Sequence, residues 1–231
     1  MATQNLAIKF IVVAALVALF FAAQFLSAQA QAQPYLWITW HAESYAPPGF
    51  GGKILPTAGS PITASFEVIG GGKPANVSAQ TVYWYLNNEL ISNKAGTKTV
   101  KFNAPSRTSA LLDLRIELPT YPGGLLLRTA RIPVVSPEAV IEAPYPDKAF
   151  SGAQIKATGR PYFFNIQNIS ELNFSWSVDG QTPGSLERPQ ELIVNLDPSS
   201  PMGTAVNLAL TILNAKNQAE SGSGFLILRK Q

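Results

Sequence analysis

The chain reads as all-β: two tandem immunoglobulin-like β-sandwiches preceded by an N-terminal apolar helix, and three observations predict this. A strand with a central tryptophan running into a tight turn occurs twice, as Thr81-Val82-Tyr83-Trp84-Tyr85-Leu86-Asn87-Asn88 and as Asn173-Phe174-Ser175-Trp176-Ser177-Val178-Asp179-Gly180. The two tryptophans lie 92 residues apart, and the strands after them repeat in order: Thr99 to Ser106 answers Leu192 to Ser199, and Leu111 to Ile116 answers Val206 to Thr211. A period of that size is one small sandwich. The 18 Pro and 17 Gly punctuate the chain every few residues, which favours many short strands over long helices.

The N-terminal segment comes first. Met1 to Lys9 is a short, weakly positive lead, and Phe10 to Ala23 is an unbroken apolar run of 14 residues. Behind it, Ala28-Gln29-Ala30 and Ala30-Gln31-Ala32 both have the small-x-small form of a signal-peptidase site. The run is short for a spanning helix, which needs about 20 apolar residues, so cleavage is the expected fate. Counting on to Leu26 leaves an uncleaved anchor as the alternative. Lys9 is the only side-chain charge before Glu43, so either way the N-terminus stays inside and the rest is exported. A prepilin leader would need a Gly ahead of the apolar run and a Glu a few residues in; the first Gly is Gly49 and the first Glu is Glu43. Residues 1–32 are therefore read as signal peptide or membrane anchor, 33–136 as the first sandwich and 137–231 as the second.

In the first domain, Ile62, Ala64, Phe66 and Val68 alternate with Thr63, Ser65 and Glu67, the pattern of a half-buried strand. Val82, Trp84 and Leu86 are expected to face the core, with Tyr83 and Tyr85 on the other face. Asn87-Asn88 suits a hairpin turn, because Asn tolerates positive φ. Leu112, Leu114, Ile116 and Leu118 form one face of a later strand, and Leu126 to Val135 closes the sandwich before Ser136-Pro137.

The second domain is expected to copy this scheme. Leu172, Phe174, Trp176 and Val178 alternate strictly with polar residues and end in Asp179-Gly180, a strong turn signal. Leu192, Val194 and Leu196 follow, then Val206, Leu208, Leu210 and Ile212, and a last strand through Phe225 to Leu228. A buried tryptophan on the third strand is how such sandwiches usually anchor their core, so Trp84 and Trp176 are read as structural. The linker Pro133-Val134-Val135-Ser136-Pro137 is short, apolar and without Gly, which predicts limited hinge motion.

Composition narrows the function. Charged residues are 13% of the chain, against roughly 25% in typical soluble domains, so the polar surface must come from uncharged residues. The net charge of +3 becomes +2 without Lys9, and the densest basic pair is Arg229-Lys230 at the end. Nucleic-acid binding needs a stripe of Lys and Arg, and none is present. The absence of cysteine points to a bacterial or archaeal extracytoplasmic protein whose sheets stand on packing alone, and the Asn-x-Ser sequons at Asn76, Asn168 and Asn173 are read as chance.

Catalytic chemistry has little to work with. His41 is the only histidine, which removes Ser-His-Asp and Cys-His catalysis and multi-histidine metal sites. The 14 carboxylates are scattered singly, so no pair is marked out for glycoside hydrolysis and no run suits calcium; no metal and no cofactor are expected. One segment, Trp37 to Lys53, is dense in aromatics, Pro and Gly. Trp37, Trp40, Tyr45 and Phe50 are its candidate binding residues, since exposed aromatics on a β-scaffold stack on sugar faces or form protein-binding patches. The competing reading folds these rings against the first sandwich as packing residues. Pro161-Tyr162-Phe163-Phe164 is expected to plug one end of the second sandwich or the domain junction, with an exposed apolar tip as the alternative.

These two segments also carry a resemblance. Glu43-x-Tyr45-x-Pro47-Pro48, Gly52-Lys53-x-x-Pro56 and Pro161-Tyr162-Phe163-Phe164, with Trp176 beyond, resemble a group of exported two-domain Ig-like proteins of candidate-phyla (Patescibacteria-type) bacteria. More broadly, the tryptophan strand running into Asp-Gly is similar to bacterial Ig-like and PKD-like surface modules. The resemblance implies the fold and an extracytoplasmic location and adds no catalytic residue. Against that pattern, Glu142-Ala143-Pro144-Tyr145-Pro146 at the start of the second domain looks shortened.

Together these readings lead to a non-catalytic module at the cell surface or envelope that spaces or binds a protein or polysaccharide, touching membrane only through its N-terminal segment. A carbohydrate-binding module and an accessory subunit of a pilus or secretion system are the alternatives.

Overall fold

The computed structural model describes residues 33–106 and 110–231; the apolar leader and the cleavage sites read in it lie outside these residues. The chain is all-β. Eight strands build the first pair of sheets: β1 (Tyr35–Ala42), β2 (Pro61–Gly70), β3 (Lys73–Pro74), β4 (Tyr83–Leu86), β5 (Glu89–Ser92), β6 (Thr99–Asn103), β7 (Ala110–Leu118) and β8 (Leu126–Val134). One sheet places β2 between β1 and the pair β3 and β6; the other runs β5-β4-β7-β8. Val135-Ser136-Pro137 then leads into β9 (Glu138–Glu142), β10 (Ala149–Phe150), β11 (Gln154–Tyr162), β12 (Leu172–Val178), β13 (Glu191–Asn195), β14 (Ala205–Asn214) and β15 (Asn217–Lys230). Here β13-β11-β9 packs against β10-β15-β14-β12, with β10 parallel to β15 and the other pairs antiparallel. Two facing antiparallel sheets of this order are the immunoglobulin-like arrangement.

Alternation decides which side chains fill each core. Ile62, Ala64, Phe66 and Val68 of β2 and Leu112, Leu114, Ile116 and Leu118 of β7 are buried, as are Leu192 of β13 and Val206, Leu208, Leu210 and Ile212 of β14. Trp84 and Trp176 are both buried, and each indole N–H donates to a main-chain carbonyl 13 residues further on: Trp84 to Thr97 and Trp176 to Pro189, both at 2.9 Å. The ring supplies packing, and its one polar atom is satisfied by the segment that crosses to the opposite sheet.

The turns repeat as closely. Asn87 and Asp179 hold φ of 50° and 48°, and Asn88 and Gly180 follow at 69° and 81°, the paired positive φ of a two-residue hairpin turn. The side-chain oxygen of each first turn residue accepts a main-chain N–H from the next strand of its sheet, Asn87 from Asp113 and Asp179 from Asn207.

The cores are filled differently. Ladder register makes Phe66 of β2 the counterpart of Gly159 of β11, since they pair with Ile38 and Ile141 respectively. A side chain at Gly159 would meet Leu210 at 2.7 Å and Phe174 and Trp176 at 3.3 Å. The volume that Phe66 supplies beside Trp84 is thus supplied in the second domain by Phe174, at the strand position Val82 holds in the first. Trading a large residue between facing strands keeps core volume and packing density.

The second sandwich departs from the first at one edge. In the first, β5 folds back and pairs with β4. In the second, the equivalent stretch after Val178↔Gln181 forms no strand, and β12 is the last strand of its sheet. Pro183 stands where the ladder next needs an N–H, so the hairpin cannot extend. The expectation of a full copy fails at this position.

Trp176→Ala is expected to destabilise the second sandwich by about 3–5 kcal/mol through lost transfer energy and the cavity left behind. Calorimetry is expected to resolve a lowered transition for the second domain beside an unshifted one for the first. A single unshifted transition would count against the ring as the anchor of that core.

Candidate functional site

The aromatic segment of the first domain and the Pro-aromatic segment of the second meet at the junction between the sandwiches. Main-chain bonds tie them: Tyr45 N–H donates to the Phe164 carbonyl and Phe163 N–H to the Tyr45 carbonyl, both at 2.7 Å. Tyr45 packs against the core of the second domain, where Phe164 is fully buried. Phe163 adopts φ of 62°, a left-handed conformation unfavourable for a bulky residue; the Tyr45 bond and burial of its ring hold it there. Phe50 closes the outside, meeting Tyr162 edge-on at 5.4 Å and Phe163 at 6.1 Å between centroids.

Beside these rings runs a polar network. Asn165 accepts from Ser60 Oγ at 2.7 Å and donates through Nδ2 to the Ala58 carbonyl at 2.8 Å. Its main-chain N–H donates to Glu220, whose other carboxylate oxygen accepts from Asn214 Nδ2 at 2.7 Å. Ser60, Asn214 and Glu220 are buried. Buried polar groups need partners, and each of these finds one across or beside the junction. An adjoining cleft of about 450 Å³ is bordered by Thr57, Gly59, Pro137, Asn217 and Glu220. Val135 N–H, in the linker, donates to the Pro56 carbonyl at 2.9 Å, which fixes the connection as well.

The four candidate aromatics are therefore not brought together. Tyr45 and Phe50 belong to the junction. Trp40 lies half-buried on the inner face of β1, with the Lys53 ammonium 4.1 Å from its ring centre and donating to its carbonyl. Trp37 sits on the opposite face of the same strand and is 60% exposed. Its neighbour on that face is Tyr35, 51% exposed, which sequence reasoning passed over although the i, i+2 spacing puts the two side by side. A second aromatic face lies on β4, where Tyr83 and Tyr85 are near-parallel at 6.5 Å and the Arg115 guanidinium lies 4.5 Å from the Tyr85 ring. Arg115 Nε is also 2.9 Å from Glu117, an ion pair whose alignment does not make a hydrogen bond. Asn165, Asn214 and Glu220 escaped sequence reasoning because only the folded chain places them in contact. His41 is exposed on β1, and among the described residues no three His, Cys, Asp or Glu side chains gather as a metal-binding group.

No family model and no curated protein matches the chain. Among solved structures, it is similar to the fibronectin(III)-like modules of Clostridium thermocellum CbhA, with 15% identity over 84% of this chain and 95% of that one and a TM-score of 0.32. It is also similar to the three N-terminal domains of the bacteriophage RB49 highly immunogenic outer capsid protein, with 13% identity, 86% and 59% coverage and a TM-score of 0.41. The Yersinia pseudotuberculosis adhesin InvE shares 12% identity over 84% of this chain and 58% of that one, with a TM-score of 0.28. All three TM-scores lie below 0.5, and the immunoglobulin-like arrangement rests on the sheet order described above.

Burial at the junction pushes the Tyr45 phenol above its ordinary value, and the nearby Arg160 opposes this more weakly. A raised folded value favours the neutral phenol. The stability it contributes is complete below the unfolded value near 10 and is lost as pH rises through the folded one. Tyr45→Phe is expected to match the wild type within about 0.5 kcal/mol at neutral pH and to lose part of the alkaline decline. Denaturant titrations of both proteins across pH 9–12 check this; parallel declines would count against it.

Proposed function

We propose that this chain is a non-catalytic, extracytoplasmic immunoglobulin-like module that spaces or binds a protein or polysaccharide at the cell surface or envelope. The observation that carries the reading is the order of the chain: an apolar run with a single preceding Lys, two small-x-small sites, then two sandwiches with an aromatic and hydrogen-bonded junction. A spacer or presenting module needs its domains held in a set relation, and the junction supplies main-chain, aromatic and polar contacts to do so. The scattered carboxylates and the lone His41 offer no nucleophile–base pair.

Intact-mass analysis of the protein recovered from the cell exterior tests the compartment. The expected N-terminus is Gln31 or Gln33; a mass that retains Met1 to Ala30 would make the chain membrane-anchored. Full retention in the cytoplasm would defeat the proposal, as would a hydrolase or transferase activity abolished by replacing one carboxylate.

Carbohydrate binding is the second reading, favoured by the exposed Tyr35 and Trp37 on one face of β1. It keeps Trp37 of the original four residues and adds Tyr35. Affinity electrophoresis in polysaccharide gels is expected to show retardation relieved by Trp37→Ala, with stability unchanged to within about 0.5 kcal/mol. Equal mobility of variant and wild type in every polysaccharide would remove this reading.

A further inference from the structure

We propose that the free edge of β12 in the second sandwich is a strand-addition site for an extended peptide segment of a partner protein with adjacent apolar residues at its centre. The proposal rests on the reading of the chain as a binding module and names the class of ligand.

Antiparallel geometry sends the N–H and C=O of alternate residues to opposite sides of a strand. Asp179 N–H bonds the Asn207 carbonyl, so in this register Asn173, Ser175 and Ser177 turn their main-chain groups to β14. Phe174, Trp176 and Val178 turn theirs to the open side. Val178 is satisfied there by a reciprocal pair with Gln181, at 2.8 and 2.9 Å. Phe174 and Trp176 form no main-chain hydrogen bond with residues 182–190, the stretch that runs past them.

The first sandwich shows what such an edge holds. There the outward groups of Val82, Trp84 and Leu86 are met by the returning chain: Leu86↔Glu89, Trp84↔Ser92, and Val82 N–H to the Lys94 carbonyl. Val178, Trp176 and Phe174 are their counterparts. The next rung after Val178↔Gln181 falls at residue 183, a proline with no N–H to give. The chain peels away instead, and Trp176 fixes it at a distance by donating to the Pro189 carbonyl. Between the edge and the displaced stretch lies a cleft of about 370 Å³, with Phe174, Ser175 and Trp176 on one side and Pro183, Gly184 and Leu186 on the other.

The strand also lacks the usual protections. Leu172 to Val178 contains no charge, proline or glycine, whereas natural edges are normally blunted by such residues. A second copy is a poor occupant. Two β12 edges would share a strip roughly 23 Å long and about 10 Å deep, some 230 Å² a side, far short of the roughly 800 Å² per partner of a stable interface. A single peptide strand lies between edge and wall and gains contacts from both, as in other strand-addition sites, with main-chain bonds for affinity and alternate side chains for selection. The internal template is Glu89-Leu90-Ile91-Ser92, a segment with adjacent apolar residues and no cation.

The test is amide hydrogen exchange read by NMR on the exported protein, with a capped octapeptide of residues 88–95 as probe. In the free protein, the amides of Phe174 and Trp176 are expected to exchange much faster than those of Ser175 and Ser177. Millimolar peptide is expected to protect Phe174 and Trp176, and its alternately N-methylated analogue is expected not to. Pro183→Val restores a donor to the neighbouring stretch and is expected to weaken peptide binding about tenfold, the worth of one or two net hydrogen bonds. Protection of both amides in the dilute free protein would overturn the proposal, because the edge would already be covered. Protection that grows with protein concentration alone would overturn it in favour of a second copy. Absence of peptide-induced protection would overturn it as well, since a main-chain template tolerates sequence. None of these outcomes depends on where the N-terminus is processed.

Discussion

Each sandwich depends on one tryptophan and the carbonyl its indole reaches. With no cysteine in the chain, nothing covalent ties the two sheets of a domain together. The indole of Trp84 or Trp176 fills the space between the sheets, and its N–H fastens the segment entering the opposite sheet, at Thr97 or Pro189. That bond joins two requirements: the ring must be buried to pack, and its donor must be satisfied to be buried. The rest of each core adjusts to the ring. In the first domain Phe66 meets Trp84 edge-on at 5.5 Å; in the second Gly159 leaves room and Phe174 supplies the bulk from the tryptophan's own strand. Both solutions keep the buried tryptophan, on β4 and on β12, while changing the residues beside it.

Backbone approach sets a second constraint in the later domain. A side chain at Gly224 would lie 2.4 Å from the Ala139 carbonyl oxygen, and one at Gly222 2.8 Å from the backbone of Glu138 and Ala139. β9 therefore crosses β15 main chain to main chain, which only glycine on β15 permits. This brings the start of the second domain close to its last strand, near Glu220, so the buried carboxylate that holds Asn165 sits on the same strand as the glycines. Crossing, carboxylate and junction are one connected piece of structure.

Much of this was legible beforehand because its signals are local. Strict alternation identified the strands around Phe66, Trp84, Leu114, Trp176 and Leu208 and their buried faces, and Asn87-Asn88 and Asp179-Gly180 announced their turns through positive φ. The junction was legible only in outline. Pro161 to Phe164 was expected at an end or a junction, but the partnership of Phe163 with Tyr45, or of Asn165 with Ser60, joins residues more than a hundred positions apart and has no periodicity to reveal it. The aromatic candidates were grouped by nearness in sequence; yet Trp37 and Trp40 are three residues apart on a strand, which sends them to opposite faces. Glu220 lies in a polar stretch, and it is buried where it meets Asn165 and Asn214, contacts that only the folded chain makes.

The residue that leaves the edge of β12 open for the proposed peptide is one that breaks the repeat. Pro183 is unremarkable as a loop proline, and a comparison that looks only for matches would pass it by. Register gives it meaning: the same 13-residue span joins each tryptophan to its carbonyl acceptor, but in the first domain that span includes a pairing strand and in the second it does not. A conserved span with a changed path leaves the core anchored and the edge bare. The tryptophan that stabilises the second sandwich is therefore also the residue whose outward main chain is left open by the loop it holds away, and stability and the proposed strand addition meet at a single position of β12.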